Sequence, residues 1–156
     1  MSGANLELIE RFYASFNRRD GAAMSACYTP DAHFRDPAFG DLHGDEVGAM
    51  WRMLTARATD LKVELAAHDA DETSGTANWI AHYTFSTGRP VVNDINATFR
   101  FCDGLIADHV DDFDFGKWAR QALGFQGLLI GLLPPLRAKA HDRARAQLNE
   151  FMASEA

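Results

Sequence analysis

Residues 91 to 113 read Val91-Val92-Asn93-Asp94-Ile95-Asn96-Ala97-Thr98-Phe99-Arg100-Phe101-Cys102-Asp103-Gly104-Leu105-Ile106-Ala107-Asp108-His109-Val110-Asp111-Asp112-Phe113. Val91 to Phe101 alternates as a strand does, Asp103-Gly104 is a hairpin signal, and Leu105 to Phe115 returns as a second strand. Upstream, Trp79, Ala81, Tyr83 and Phe85 alternate with Asn78, Ile80, His82 and Thr84, while Leu61, Val63 and Leu65 alternate with charged residues. Ala66 to Gly75 and Thr87-Gly88-Arg89-Pro90 supply the turns between them. This spacing predicts a four-stranded antiparallel meander.

Towards the N-terminus the period changes from two to that of a helix. Leu6, Ile9, Tyr13 and Phe16 share one face, which Phe12 widens. Asp20 reads as the N-cap of a short second helix holding Ala23, Met24 and Cys27, which Thr29-Pro30-Asp31 ends. Ala32 to Asp36 reads as a short strand stopped by Pro37, because proline offers the ladder no donor. Gly40 to Gly44 reads as a loop, and Asp45 opens a third helix through Val47, Met50, Trp51 and Leu54. Helices followed by a curved sheet define an α+β layout with the helices on one sheet face.

The C-terminal forty residues differ. A helix over Trp118 to Leu123 leads into an apolar stretch punctuated by Gly124, Gly127 and Gly131, and Pro134-Pro135 starts a last helix. In that helix Leu136, Ala140, Ala144, Leu148 and Phe151 share a face, and Arg137, Lys139, Arg143 and Arg145 lie elsewhere. The apolar stretch reads as cover for a cavity mouth or as a dimer interface. Membrane contact is the least favoured of its roles, since a glycine-broken segment is a poor continuous amphipathic helix.

The 156 residues carry 15 Lys+Arg against 22 Asp+Glu, a net charge of −7, with 47% hydrophobic residues. That acidity speaks against a nucleic-acid partner, because phosphate binding draws on clustered Lys and Arg. Cys27 and Cys102 sit in apolar stretches and read as free core cysteines. Neither a signal-like N-terminal segment nor a bilayer-length apolar run is evident, so the expected location is the cytoplasm.

The stretch Arg11-Phe12-Tyr13-Ala14-Ser15-Phe16-Asn17-Arg18-Arg19-Asp20 is followed by Tyr28 to Pro37, ending in Phe34-Arg35-Asp36-Pro37, and by Gly44 ahead of a helix. With Gly88-Arg89-Pro90, Phe99-Arg100-Phe101 and Asp103-Gly104-Leu105-Ile106 before His109 and Asp111, these resemble the nuclear transport factor 2-like superfamily. Within it they are most similar to ketosteroid isomerases and SnoaL-like polyketide cyclases. The resemblance spans about residues 5 to 118. It implies a cone: a curved, mixed or antiparallel sheet wrapped by the N-terminal helices around a pocket. Residues 1–118 form that domain, and 119–156 are a C-terminal helical extension packed on it.

The same resemblance makes Asp36 the candidate general base, moving a proton beside a carbonyl. A carboxylate facing an apolar pocket is raised in pKa by desolvation and becomes a usable base near neutrality. The bland alternative is that Asp36-Pro37 simply starts a turn. The isomerases' two oxyanion donors are missing at their expected places: the tyrosine position falls on Phe12, with Tyr13 one residue and about 100° away, and the second falls on Ala97. Steroid isomerisation is therefore not expected.

Matching through Gly88-Arg89 turns the His82 side of its strand inward. On the last strand His109, Asp111 and Phe113 share the inward face, and His109 and Asp111 can form an orienting pair. Phe12, Tyr13, Phe16, Phe34, Trp51 and Phe113 are the expected pocket lining. His33, His43, His68 and His141 read as turn or surface residues. An epoxide hydrolase of the limonene type needs Arg and Asp two residues apart, whereas Arg100 and Asp103 are three apart. No third ligand joins His109 and Asp111, so no metal is expected.

The sequence thus points to a cofactor-free pocket protein for a small apolar molecule, with Asp36 as acid–base group and His82, His109 or Asp111 assisting. The competing reading is a non-catalytic ligand-binding or dimerising module of the same fold. An outer sheet face carrying Trp79, Tyr83 and Phe85 needs a cover, either a second subunit or the C-terminal helices, and a homodimer through it is expected.

Overall fold

The computed structural model describes residues 2–156. The chain runs α1 (Ser2–Asn17), α2 (Gly21–Ser25), β1 (Tyr28–Asp36), β2 (Gly40–His43), α3 (Asp45–Arg57), β3 (Lys62–Ala70), β4 (Ser74–Thr84), β5 (Pro90–Cys102), β6 (Leu105–Asp112), α4 (Phe115–Leu123), α5 (Phe125–Leu132) and α6 (Pro134–Glu155). The strands form one open mixed sheet in the order β2-β1-β6-β5-β4-β3. Every pairing is antiparallel except β1 with β6. The expected meander is its four strands β3–β6.

β5 alternates between exposed and buried over its whole length, with Val91, Asn93, Ile95, Ala97, Phe99 and Phe101 inward. Opposite pairs in an antiparallel ladder share a face, so the pairing Trp79↔Ile95 turns Trp79 inward and His82↔Val92 turns His82 outward. Ala77, Trp79 and Ala81 are buried, and His82 is exposed. This corrects the orientation expected for β4. Burying a large apolar side chain is worth about 1.5–3 kcal/mol, whereas a buried histidine gives up hydration; the register that buries Trp79 wins.

The outer apolar patch invoked for dimerisation loses its basis with this correction. Trp79 is in the core, and Tyr83 and Phe85 are covered by α4. There Trp118 Nε1 donates to the Tyr83 hydroxyl at 2.7 Å, and the Trp118 ring meets Phe85 edge-on at 5.3 Å. α4 begins earlier than its sequence pattern suggests, because Asp114 caps it by accepting from the Lys117 N–H. Asp20 caps α2 as expected, accepting from the Ala23 N–H.

β1 also starts earlier, at Tyr28. Pro30 falls where the β1–β6 register shifts, between Tyr28 and His33, so its missing donor is not needed. Gly40 to His43, expected as loop, pairs back on β1 as a hairpin strand. Gly40 has φ +70°, and a Cβ there would meet the His141 ring of α6 at 2.3 Å. α6 is tied to α3 by the paired Arg52 and Glu155, and by Arg145 with Glu46. The expected inward face of α6 is present, with Leu148 fully buried. Both cysteines are free; Cys27 is buried, but Cys102 at the end of β5 is exposed rather than in the core. Among the described residues no helix is long and apolar enough to cross a membrane.

Candidate functional site

β1 and β6 bring the inward residues of two strands side by side. The parallel register pairs Phe34 with His109 and Arg35 with Val110. Side chains two apart share a face, so the next inward residues, Asp36 and Asp111, lie together at the ends of the two strands. α1 covers this face with Phe12, Tyr13 and Phe16, and α3 adds Trp51.

The aromatic rings interlock around His109. Phe12 lies edge-on to Trp51 at 5.6 Å and Phe34 edge-on to His109 at 5.1 Å. Phe16 packs against Trp51 at 5.1 Å and against Trp79 at 5.3 Å. Five of the six expected lining residues are therefore buried in one cluster. The sixth, Phe113, is half-buried at its margin.

A hydrogen-bonded chain runs through this apolar cluster. Trp51 Nε1 donates to the Tyr28 hydroxyl at 2.8 Å, and that hydroxyl is 2.7 Å from His109 Nδ1. His109 Nε2 is 2.8 Å from Asp111 Oδ1, which also accepts from Trp79 Nε1 at 3.3 Å. Counting donors assigns the protons. Tyr28 accepts from tryptophan and so has its own proton for His109 Nδ1; His109 carries its proton on Nε2 and gives it to the carboxylate. Each polar side-chain atom of Trp51, Tyr28, His109 and Trp79 has a partner, which is what permits a histidine with 0% exposure in such a core.

Asp36 and Tyr13 are held differently. Asp36 accepts from the backbone N–H groups of Ala38 at 3.0 Å and Phe39 at 2.6 Å. Burial still drives its pKa up to about 7; the charge of Asp111 adds to the rise, and the two backbone bonds oppose it. Tyr13 is buried against Trp79, with ring centroids 5.7 Å apart. Its hydroxyl has no hydrogen-bond partner. Burial raises the Tyr13 pKa well above the usual phenol value, and Asp111 pushes the same way. A buried orphan hydroxyl costs about 1–3 kcal/mol. The other such atom among the described residues, Thr29 Oγ1, lies away from the cluster, in a cleft between the start of β1 and the end of α6.

The structure thus brings together Asp36, His109 and Asp111 and leaves His82 outside, on the exposed face of β4. It adds Tyr28 and Trp79. The Tyr28 signal was its even spacing with Ala32, Phe34 and Asp36, hidden by Pro30. Ala97, the empty second donor position, pairs directly with Asp111 in the β5–β6 register. A carboxyl group therefore stands on the neighbouring strand, beside that empty position. Arg100 is exposed and Asp103 sits in the β5–β6 turn with φ 51°, so the two do not form an epoxide-hydrolase constellation.

A SnoaL-like domain model matches residues 9–109, and the chain belongs to that family. Among solved structures, an NTF2-like protein of unknown function from Burkholderia pseudomallei is similar with a TM-score of 0.69 at 23% identity, covering 79% of this chain and 99% of its own. An epoxide hydrolase of the LEH-like type from M. tuberculosis gives 0.65 at 20% identity, covering 84% and 93%. A protein from Xanthomonas campestris, suggested to be a polyketide cyclase, gives 0.65 at 21% identity, covering 77% and 97%. At these identities the likeness is one of fold. No match was found among curated proteins.

Proposed function

We propose that this chain binds a small apolar carbonyl compound at the Asp36–Tyr13 margin of the aromatic cluster and moves a proton on it without a cofactor. What supports this reading is a buried, unpartnered phenol, Tyr13, in the same interior as a carboxyl group, Asp36, that burial pushes up to about 7, each feeling the charge of Asp111. Asp36 takes the proton next to the carbonyl and returns it at the neighbouring position. Tyr13 donates a hydrogen bond to the oxygen, where negative charge develops. The His109–Asp111 pair holds the second carboxylate in place and, through its charge, keeps Asp36 proton-hungry. The fold that the chain shares with the Xanthomonas campestris protein agrees with a cyclase or isomerase class of reaction.

A specific observation favours the second reading, a non-catalytic module. The two backbone bonds to Asp36 are those of an aspartate that shapes the β1–β2 turn. A thermal-shift screen of apolar ketones, phenols and lactones on wild type and Asp36→Asn separates the two. Binding is expected from ketones and phenols, with a shift that changes on Asp36→Asn. Ketone hits should exchange their α-protons with deuterium oxide in wild type and at least about a hundredfold more slowly in Asp36→Asn. Hits indifferent to the substitution, with no exchange, would leave the module reading.

A further inference from the structure

We propose that the bare face of α5 docks on an anionic lipid surface. Phe125, Leu129 and Leu132 recur at i, i+4 and i+7, one stripe of the helix, and Leu133 continues it at the corner into α6. Their exposures are 78%, 44%, 69% and 46%, which makes them most of the large apolar side chains left in water. The opposite side of α5 is committed to α4: a Cβ on Gly127 would lie 1.8 Å from the Ala119 carbonyl oxygen, and Leu128 and Ile130 are half-buried. The glycine that looked like a helix breaker is thus the point of close contact, and α5 is a continuous helix. One side is anchored and the other is open.

The charge around this stripe selects the occupant. Arg120 on α4 and Arg137, Lys139 and Arg143 on α6 are all exposed, and none forms an ion pair among the described residues. The Arg137 guanidinium lies 4.9 Å from the Phe115 ring centre, and Lys117, also exposed, lines a cleft with Asp94 and Asp114 on the sheet side of α4. Residues 117–143 carry these five basic side chains against the single acidic Asp142, while the remaining sequence carries ten basic and 21 acidic ones. An apolar stripe with a basic surround matches an anionic headgroup layer with acyl chains beneath it. A symmetric pair of copies through this stripe would set the basic residues of one against those of the other. An eight-residue helix is about 12 Å long, suited to lying in the headgroup region and far too short to span it.

The full chain is cosedimented with vesicles of phosphatidylcholine alone and with vesicles containing about one-third phosphatidylglycerol. Binding is expected on the anionic vesicles at about 0.05 M salt and its loss at about 0.5 M. Phe125→Ser with Leu132→Ser should weaken partitioning at least about tenfold, and Lys139→Glu with Arg143→Glu should remove the preference for anionic lipid. Since these four side chains are exposed, melting temperature and circular dichroism should stay those of wild type. Absence of binding to the anionic vesicles would overturn the proposal, as would binding that survives both double substitutions. Sedimentation velocity showing a wild-type dimer that Phe125→Ser with Leu132→Ser makes monomeric would assign the stripe to a second copy instead.

Discussion

Two halves of the same interior obey different rules. Around His109, every hydrogen-bonding atom of Trp51, Tyr28, His109 and Trp79 has a partner, and the chain ends on Asp111. At the end of β1, Asp36 has its pKa raised by burial to about 7, and on α1 Tyr13 keeps a buried hydroxyl with nothing to donate to. Satisfied polar networks inside apolar surroundings rigidify; unsatisfied groups cost stability and are retained where something else uses them. On the function proposed above, the first half is scaffold and the second is the candidate site.

Removing Asp111 attacks the scaffold. Asp111→Ala leaves the N–H groups of His109 and Trp79 without their acceptor in a dry core, and the expected loss is about 3–5 kcal/mol in urea unfolding. A loss below about 1 kcal/mol would mean that the network is not a structural unit.

Asp36→Asn acts in the opposite direction and depends on pH. The folded protein holds this proton up to about pH 7, whereas an unfolded aspartate loses it near 3.8. Between those values the folded state binds more protons, so stability falls as pH rises from about 4 to about 7. The asparagine variant carries no such penalty. It should be more stable than wild type at pH 8, by up to about 4 kcal/mol, and close to wild type at pH 4. Parallel thermal melts at the two pH values check this; equal effects at both would remove Asp36 from the strained half.

Tyr13→Phe is the smallest change. Deleting an unpartnered buried hydroxyl should leave stability within about 1 kcal/mol of wild type or raise it, while weakening carbonyl ligands about tenfold or more in the thermal-shift screen. Loss of stability greater than that would show that the hydroxyl already has a partner in the folded protein.

The scaffold half was only partly legible in the sequence. His109, Asp111 and the lining aromatics followed from strand parity and helical spacing, which are local. The facing of β4 did not, because both of its faces carry bulky residues, Trp79 and Tyr83 against Ile80 and His82, and only pairing with β5 decides between them. Tyr28 was lost because Thr29-Pro30-Asp31 reads as the end of the preceding helix when no bulge is known to absorb the proline in a strand. The site half was visible at Asp36 through resemblance. The nearness of Asp36 to Asp111 depends on a parallel pairing between strands some seventy residues apart, and the unpartnered state of Tyr13 on how α1 packs against Trp79 of β4; no local pattern encodes either.

The central claim is that Asp36 is a proton-holding group at neutral pH rather than an ordinary turn aspartate. A carbon-13 NMR titration of the aspartate carboxyls, with Asp36→Asn identifying the resonance, measures it directly. A midpoint near 7 is expected; a midpoint near 4 would contradict the account and leave Asp36 as the cap of its turn.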